Sequence, residues 1–193
     1  MSTTAAGEAV AALGRVLRKR GVAWYLFGAQ AVIYWGRPRL SADVDITVLL
    51  PIGEARGLAA ALREAGFSPL VEEVEEFVER TRVLPLEHRP TGLPVDIVFG
   101  GPGFEAEFLE RAVPVEIGGE QVPIITPEDL LVTKILAGRP KDIEDARGIL
   151  AVRGPALDLE RTRSLLTILE SALDRSDLVR ELERLGREGE APT

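Results

Sequence analysis

The sequence contains no cysteine and a single histidine, His88, in 193 residues. The first absence removes disulfides, thiolate nucleophiles and cysteine-held metals, and one histidine cannot build a His-rich zinc site. Any metal must then be a hard cation held by carboxylates. No apolar run approaches the roughly 20 residues of a membrane span. Met1-Ser2-Thr3-Thr4 opens the chain without the basic-then-apolar stretch of an export signal. The expectation is a soluble, cytoplasmic protein with no membrane partner. No serine stands in a nucleophile-elbow context, and Gly100-Gly101-Pro102-Gly103 lacks the Lys-Ser/Thr of a phosphate-binding loop.

What is present is ordinary for a globular chain: 46% hydrophobic and 28% charged residues. The formal charge of −8 argues against broad nonspecific binding to nucleic acid, which depends on neutralising phosphates with Lys and Arg. The charges are unevenly spread. Glu72, Glu73, Glu75, Glu76 and Glu79 form an acidic run, while Arg37, Arg39, Arg139 and Lys141 offer a local basic rim near the candidate site residues.

Helical spacing of Val10, Leu13, Val16 and Leu17 predicts an amphipathic helix over 8–20, stopped at Gly21. A strand over 22–27, a turn at Gly28-Ala29 and a helix to Trp35 follow. A loop (37–42), a strand (43–50) and a helix (54–65) come next. The stretch 67–99 reads as β structure, with strands at 81–88 and 93–99 paired through Arg89-Pro90-Thr91-Gly92. A short helix (104–112) precedes a hairpin turning at Gly118-Gly119. Thr126-Pro127-Glu128-Asp129 is a strong helix start. Helices are expected at 141–152, 158–173 and 177–185, before a frayed tail. The order predicts an α+β fold, a mixed β-sheet flanked by helices (1–125) followed by a helical C-terminal lobe (126–193).

The chemical signal is Asp43-Val44-Asp45-Ile46-Thr47-Val48. Side chains alternate along a strand, so Asp43 and Asp45 share one face while Val44, Ile46 and Val48 enter the core. Two carboxylates that close repel each other unless a cation stands between them, and Mg²⁺ suits such a pair, with Mn²⁺ as a substitute. In Leu93-Pro94-Val95-Asp96-Ile97-Val98-Phe99 one acid interrupts an apolar strand, and burial without a partner would be costly. If this strand lies beside the first, Asp96 completes a three-acid site for two metal ions, either as ligand or as acceptor of a proton.

Phe27-Gly28-Ala29 followed by Asp43-Val44-Asp45 resembles the signature of the DNA polymerase β-like nucleotidyltransferases, and Arg39-Leu40-Ser41-Ala42-Asp43 is similar to the Arg-x-Thr-x-Asp lead-in of that superfamily. Ala29 stands where the family has Gly or Ser, which keeps a backbone contact and removes a hydroxyl. Lys134-Ile135-Leu136-Ala137-Gly138-Arg139-Pro140-Lys141-Asp142 resembles the distal motif of the AbiEii-type branch, the nucleotidyltransferase-like toxins of abortive infection and toxin–antitoxin systems. The resemblance implies that the amides at Gly28-Ala29, with Arg39 and Ser41, face a nucleoside triphosphate, that Lys134 reaches its phosphates, and that Asp142 lies on the rim. The expected activity is transfer of an NMP from an NTP such as ATP to a hydroxyl acceptor, with release of pyrophosphate. The acceptor is a tRNA end, a partner protein or a small molecule. The alternative is a weakly catalytic or non-catalytic nucleotide-binding protein, such as an antitoxin acting through a protein interface. If the chain is the toxin half, an antitoxin is its partner. Base choice and oligomeric state are not written in any motif.

Overall fold

Val10, Leu13 and Leu17 recur at helical spacing and are buried, and the helix they form, α1 (Ala5–Lys19), begins where Thr4 Oγ1 accepts the Gly7 amide at 3.1 Å. The computed structural model describes residues 4–37 and 43–190. These fall into two compact units, one within Met1–Gln30 and Leu40–Ile125, the other within Ala31–Arg39 and Thr126–Thr193. Among the described residues no helix is long and apolar enough to cross a membrane.

The first unit is built on seven strands: β1 (Ala23–Phe27), β2 (Val44–Leu49), β3 (Phe67–Pro69), β4 (Val83–His88), β5 (Leu93–Phe99), β6 (Val113–Ile117) and β7 (Glu120–Ile124). They form one mixed sheet in the order β3-β4-β5-β2-β1-β7-β6, with β2 parallel to β5, β1 parallel to β7, and the other pairs antiparallel. Helices α3 (Ala55–Glu64), α4 (Val74–Thr81) and α5 (Phe104–Arg111) belong to the same unit. Helix α2 (Gly28–Trp35) contributes its first three residues to this unit and the remainder to the second. The α+β class expected from the sequence is present. One expectation fails: the interval 67–99 is not β throughout, because Val74 and Val78, four residues apart, are both buried and make residues 74–81 a helix.

Strand alternation builds the main core on one face of the sheet, while Tyr25 and Thr47 are buried on the other. Ile46, Val48, Leu84, Leu86 and Ile97 lose all exposure, as do Leu13 and Leu17 of α1 and Phe67 of β3. Each such side chain contributes about 1.5–3 kcal/mol on burial. His88 is only 2% exposed; its ring packs 4.7 Å from that of Phe67, and Nδ1 lies 2.8 Å from Thr91 Oγ1. Burial lowers its pKa from the ordinary value of 6.5, only partly offset by the charge of Glu8. The fold therefore favours the neutral ring, and the unfolded chain takes up a proton first. This contribution is complete above the unfolded value and is lost as pH falls below about 6.5 towards the folded value. Urea denaturation between pH 7.5 and pH 5 checks this: the stability advantage of wild type over His88→Gln should shrink as the pH falls.

The second unit is helical: the end of α2, then α6 (Pro127–Ala137), α7 (Pro140–Arg153), α8 (Leu159–Leu173) and α9 (Leu178–Glu190). Thr126 caps α6 as expected, its hydroxyl accepting the Asp129 amide at 3.2 Å, and Gly138 ends the helix at φ 64°. Asp158 caps α8 through the Arg161 amide. The last helix is longer than its sequence suggests. Leu178, Leu182 and Leu185 bury one face, and Glu188, beyond them, pairs with Arg147 at 2.9 Å and with Arg184, so residues 186–190 stay helical.

Candidate active site

Alternation along β2 leaves Val44, Ile46 and Val48 with no exposure and turns Asp45 to the opposite face. On β5 the same rule buries Val95, Ile97 and Phe99 and turns Asp96 outward. Because β2 and β5 run parallel with Asp45 directly opposite Asp96, the two residues project from one face of adjacent strands, whose backbones are spaced by about 4.8 Å. Asp43 lies one residue ahead of β2. The sequence suggested a buried carboxylate at position 96; instead Asp96 is exposed, beside exposed Pro94 on the open face of its strand. Its pKa is nonetheless raised, first by partial desolvation and then by the negative charge of Asp43. Asp43, Asp45 and Asp96 are thus brought to one neighbourhood. Among the described residues, no three His, Asp or Glu side chains are gathered into a ready-made metal cage.

Gly28 opens α2 at φ +62° and follows Phe27, the β1 partner of Asp45. A Cβ at this position would lie 2.0 Å from Asp45 Oδ2 and 2.6 Å from its Cγ, a contact that glycine alone allows. The start of α2 is therefore seated against the Asp45 carboxylate. Ala29 is 4% exposed. Gln30 escaped the sequence reading: its Nε2 donates to the main-chain carbonyl of Asp43 at 3.1 Å. Arg39 and Ser41 lie outside the described residues.

In the second unit Lys134 and Asp142 meet each other. The Lys134 ammonium donates to Asp142 Oδ1 at 3.0 Å and pairs with Asp145 Oδ2 at 2.9 Å, with all three side chains at most 8% exposed. Gly138 and Pro140 make the short connection that lays the start of α7 against the end of α6. Asp142 and Asp145, three residues apart, then face the lysine together. Arg139 also pairs with Asp142 from an exposed position. Burial works to raise the pKa of Asp142, but hydrogen bonds from Arg139 and Lys134 outweigh it and hold the carboxyl below its usual range. Asp145 was not singled out from the sequence; its i+3 spacing from Asp142 was the available signal.

Residues 99–179, under half of the chain, match a family described as "Nucleotidyltransferase of unknown function (DUF6036)"; the matched stretch begins after Asp96 and includes Lys134, Asp142 and Asp145. No curated protein matches the chain. Among solved structures, ANT(2")-Ia in complex with adenylyl-2"-tobramycin is similar over 88% of this chain and 99% of its own, at 18% identity and a TM-score of 0.61. An antigenic nucleotidyltransferase-like protein from Paracoccidioides brasiliensis is similar over 94% of each chain, at 19% identity and a TM-score of 0.57. The lincosamide antibiotic adenylyltransferase LnuA, lincomycin-bound, is similar over 72% of this chain and 92% of its own, at 16% identity and a TM-score of 0.50. Likeness at this identity shows the fold: the chain has a nucleotidyltransferase fold.

Proposed function

We propose that this protein is a metal-dependent nucleotidyltransferase that moves an NMP from an NTP to a hydroxyl acceptor. The observation that carries this reading is Asp45 in register with Asp96 on parallel strands, with the start of α2 seated on Asp45 through Gly28. The donor set fits Mg²⁺, or Mn²⁺ in its place. The pKa of Asp96 is raised first by partial desolvation and then by the charge of Asp43, and a cation relieves both. Among the described residues no three-ligand cage stands ready, so water and phosphate oxygens would have to fill most of the shell of such an ion. Asp43 and Asp45 would hold two such ions and Asp96 would complete the first site. Bound there, the ions supply activation of the acceptor hydroxyl and neutralisation of the triphosphate.

The chain's own residues do the rest. The amides at the start of α2, from Gly28 and Ala29, face the anionic phosphates, as a helix N-terminus favours. Asp96, whose pKa is raised by partial desolvation and then by the charge of Asp43, would take the acceptor proton. The acceptor oxygen then bonds to the α-phosphorus as the bond to the bridging oxygen breaks and pyrophosphate leaves. Lys134 we assign to the fold of the helical unit, since two buried carboxylates already hold its charge.

A small-molecule hydroxyl stands first as acceptor, because two of the similar structures are of antibiotic adenylyltransferases and the net charge of −8 does not favour RNA. The AbiEii-like motif keeps a tRNA end or a partner protein as the second choice. Incubation with each of four α-³²P NTPs, Mg²⁺, and pools of aminoglycosides, lincosamides, tRNA and lysate protein tests all of these. Label should pass to one pool and vanish in Asp43→Ala/Asp45→Ala. A folded wild type that labels nothing, but binds an NTP, would replace this reading with that of a nucleotide-binding protein.

A further inference from the structure

We infer that Gln30 is a positioning residue that fixes the main chain at Asp43 and thereby sets how the Asp43 carboxylate meets the catalytic cation, a role that rests on the metal-dependent reading above. Asp43 stands immediately before β2: the register with β5 begins one residue later, at Val44 opposite Val95, and that with β1 ends at Asp45 opposite Phe27. The Gln30 side-chain amide reaches the Asp43 carbonyl across thirteen residues and donates at 3.1 Å from a partly buried position.

The origin of that reach is rigid. Gln30 is the third residue of α2, two positions after the glycine that stands against Asp45 and one after Ala29, which is buried. One short helix start therefore governs both neighbouring carboxylates: Asp45 by steric fit at Gly28, and Asp43 by the Gln30 hydrogen bond. Turning the peptide at Asp43 swings its carboxylate, and metal ligation is sensitive to such shifts. The bond links α2 to the residue that precedes β2, so Gln30 acts through Asp43.

Gln30→Met keeps the volume and helix preference of the side chain and removes the N–H donor. Two measurements on the full chain test the role: hydrogen exchange over residues 43–46 without ligand, and calorimetric Mn²⁺ binding beside the Mg²⁺ dependence of label transfer. Exchange should quicken over 43–46 with the rest of the sheet unchanged. The Mn²⁺ dissociation constant and the half-saturating Mg²⁺ should both rise about tenfold, while the rate at saturating metal stays within about threefold of wild type. Gln30→Glu, which keeps the shape but turns an acceptor towards the Asp43 carbonyl, should quicken exchange at least as much. Unchanged exchange, or a fallen rate with unchanged metal affinity, would overturn the inference, as would a wild type that binds no Mn²⁺. Quickened exchange and weakened Mn²⁺ binding in a chain whose wild type transfers no label would leave Gln30 in this role and remove nucleotidyl transfer alone.

Discussion

Lys134→Ala is expected to destabilise the protein by about 3–5 kcal/mol, because it removes the buried cation that two buried carboxylates share. Asp142 and Asp145 are 1% and 3% exposed in their side chains, and the ammonium between them lies 3.0 and 2.9 Å away. Arg139, exposed over 61% of its side chain, also pairs with Asp142, but from the solvent side. The loss should depend on pH. In wild type the depressed pKa of Asp142 contributes stability above the unfolded value of about 3.9, and that contribution is lost as pH falls. In the variant the two carboxyls relieve themselves by taking up protons, so its deficit should narrow as pH falls from 7 towards 4. Urea denaturation followed by circular dichroism measures both. Replacing the whole cluster, Lys134→Met with Asp142→Leu and Asp145→Leu, should recover most of the stability, since apolar residues of similar volume often substitute for a buried ion cluster without net loss. A Lys134→Ala protein as stable as wild type that no longer binds nucleotide would return the lysine to the triphosphate contact its motif resembles.

Local rules made part of this architecture legible. Alternation along a strand is a property of single residues, so the common face of Asp43 and Asp45 and the inward course of Val44, Ile46 and Val48 follow from the order of residues alone. The caps at Thr126 and Asp158 are equally local. The pairing of β2 with β5 is not: nothing in either strand names its neighbour, and only that parallel register sets Asp96 opposite Asp45. Helix α4 did carry a signal, Val74, Phe77 and Val78 at helical spacing, but over only eight glutamate-rich residues between strand-like stretches it is easily passed over. The Gln30 bond and the Lys134 cluster were hidden for a third reason. Each is a side chain meeting a group brought near by a turn, so its partner depends on loop geometry that spacing does not encode. Arg39 and Ser41 bear on the same question and lie outside the described residues.

Gly28→Ala is expected to lower nucleotidyl transfer by about a hundredfold or more, since misplacing a reacting group by about 1 Å already has that effect. The added methyl would lie 2.0 Å from Asp45 Oδ2, 2.6 Å from Cγ and 2.8 Å from Cβ. Rotating the aspartate relieves the first two contacts and leaves the third, because Cβ is anchored to β2. Either the strand or the start of α2 must therefore shift, and both carry the proposed site. The backbone adds its own demand: φ +62° is open to glycine and costs another residue roughly 1–2 kcal/mol. A loss of stability of that modest order, with transfer and Mn²⁺ binding both abolished, is the expected pattern. Gly53→Ala is the control. Its added methyl meets nothing within 4 Å and its φ is not positive, so stability and transfer should both stay at wild-type levels. Undiminished transfer by Gly28→Ala would mean that Asp45 does its work from some other position, and the carboxylate face of β2 and β5 would lose its place as the active site.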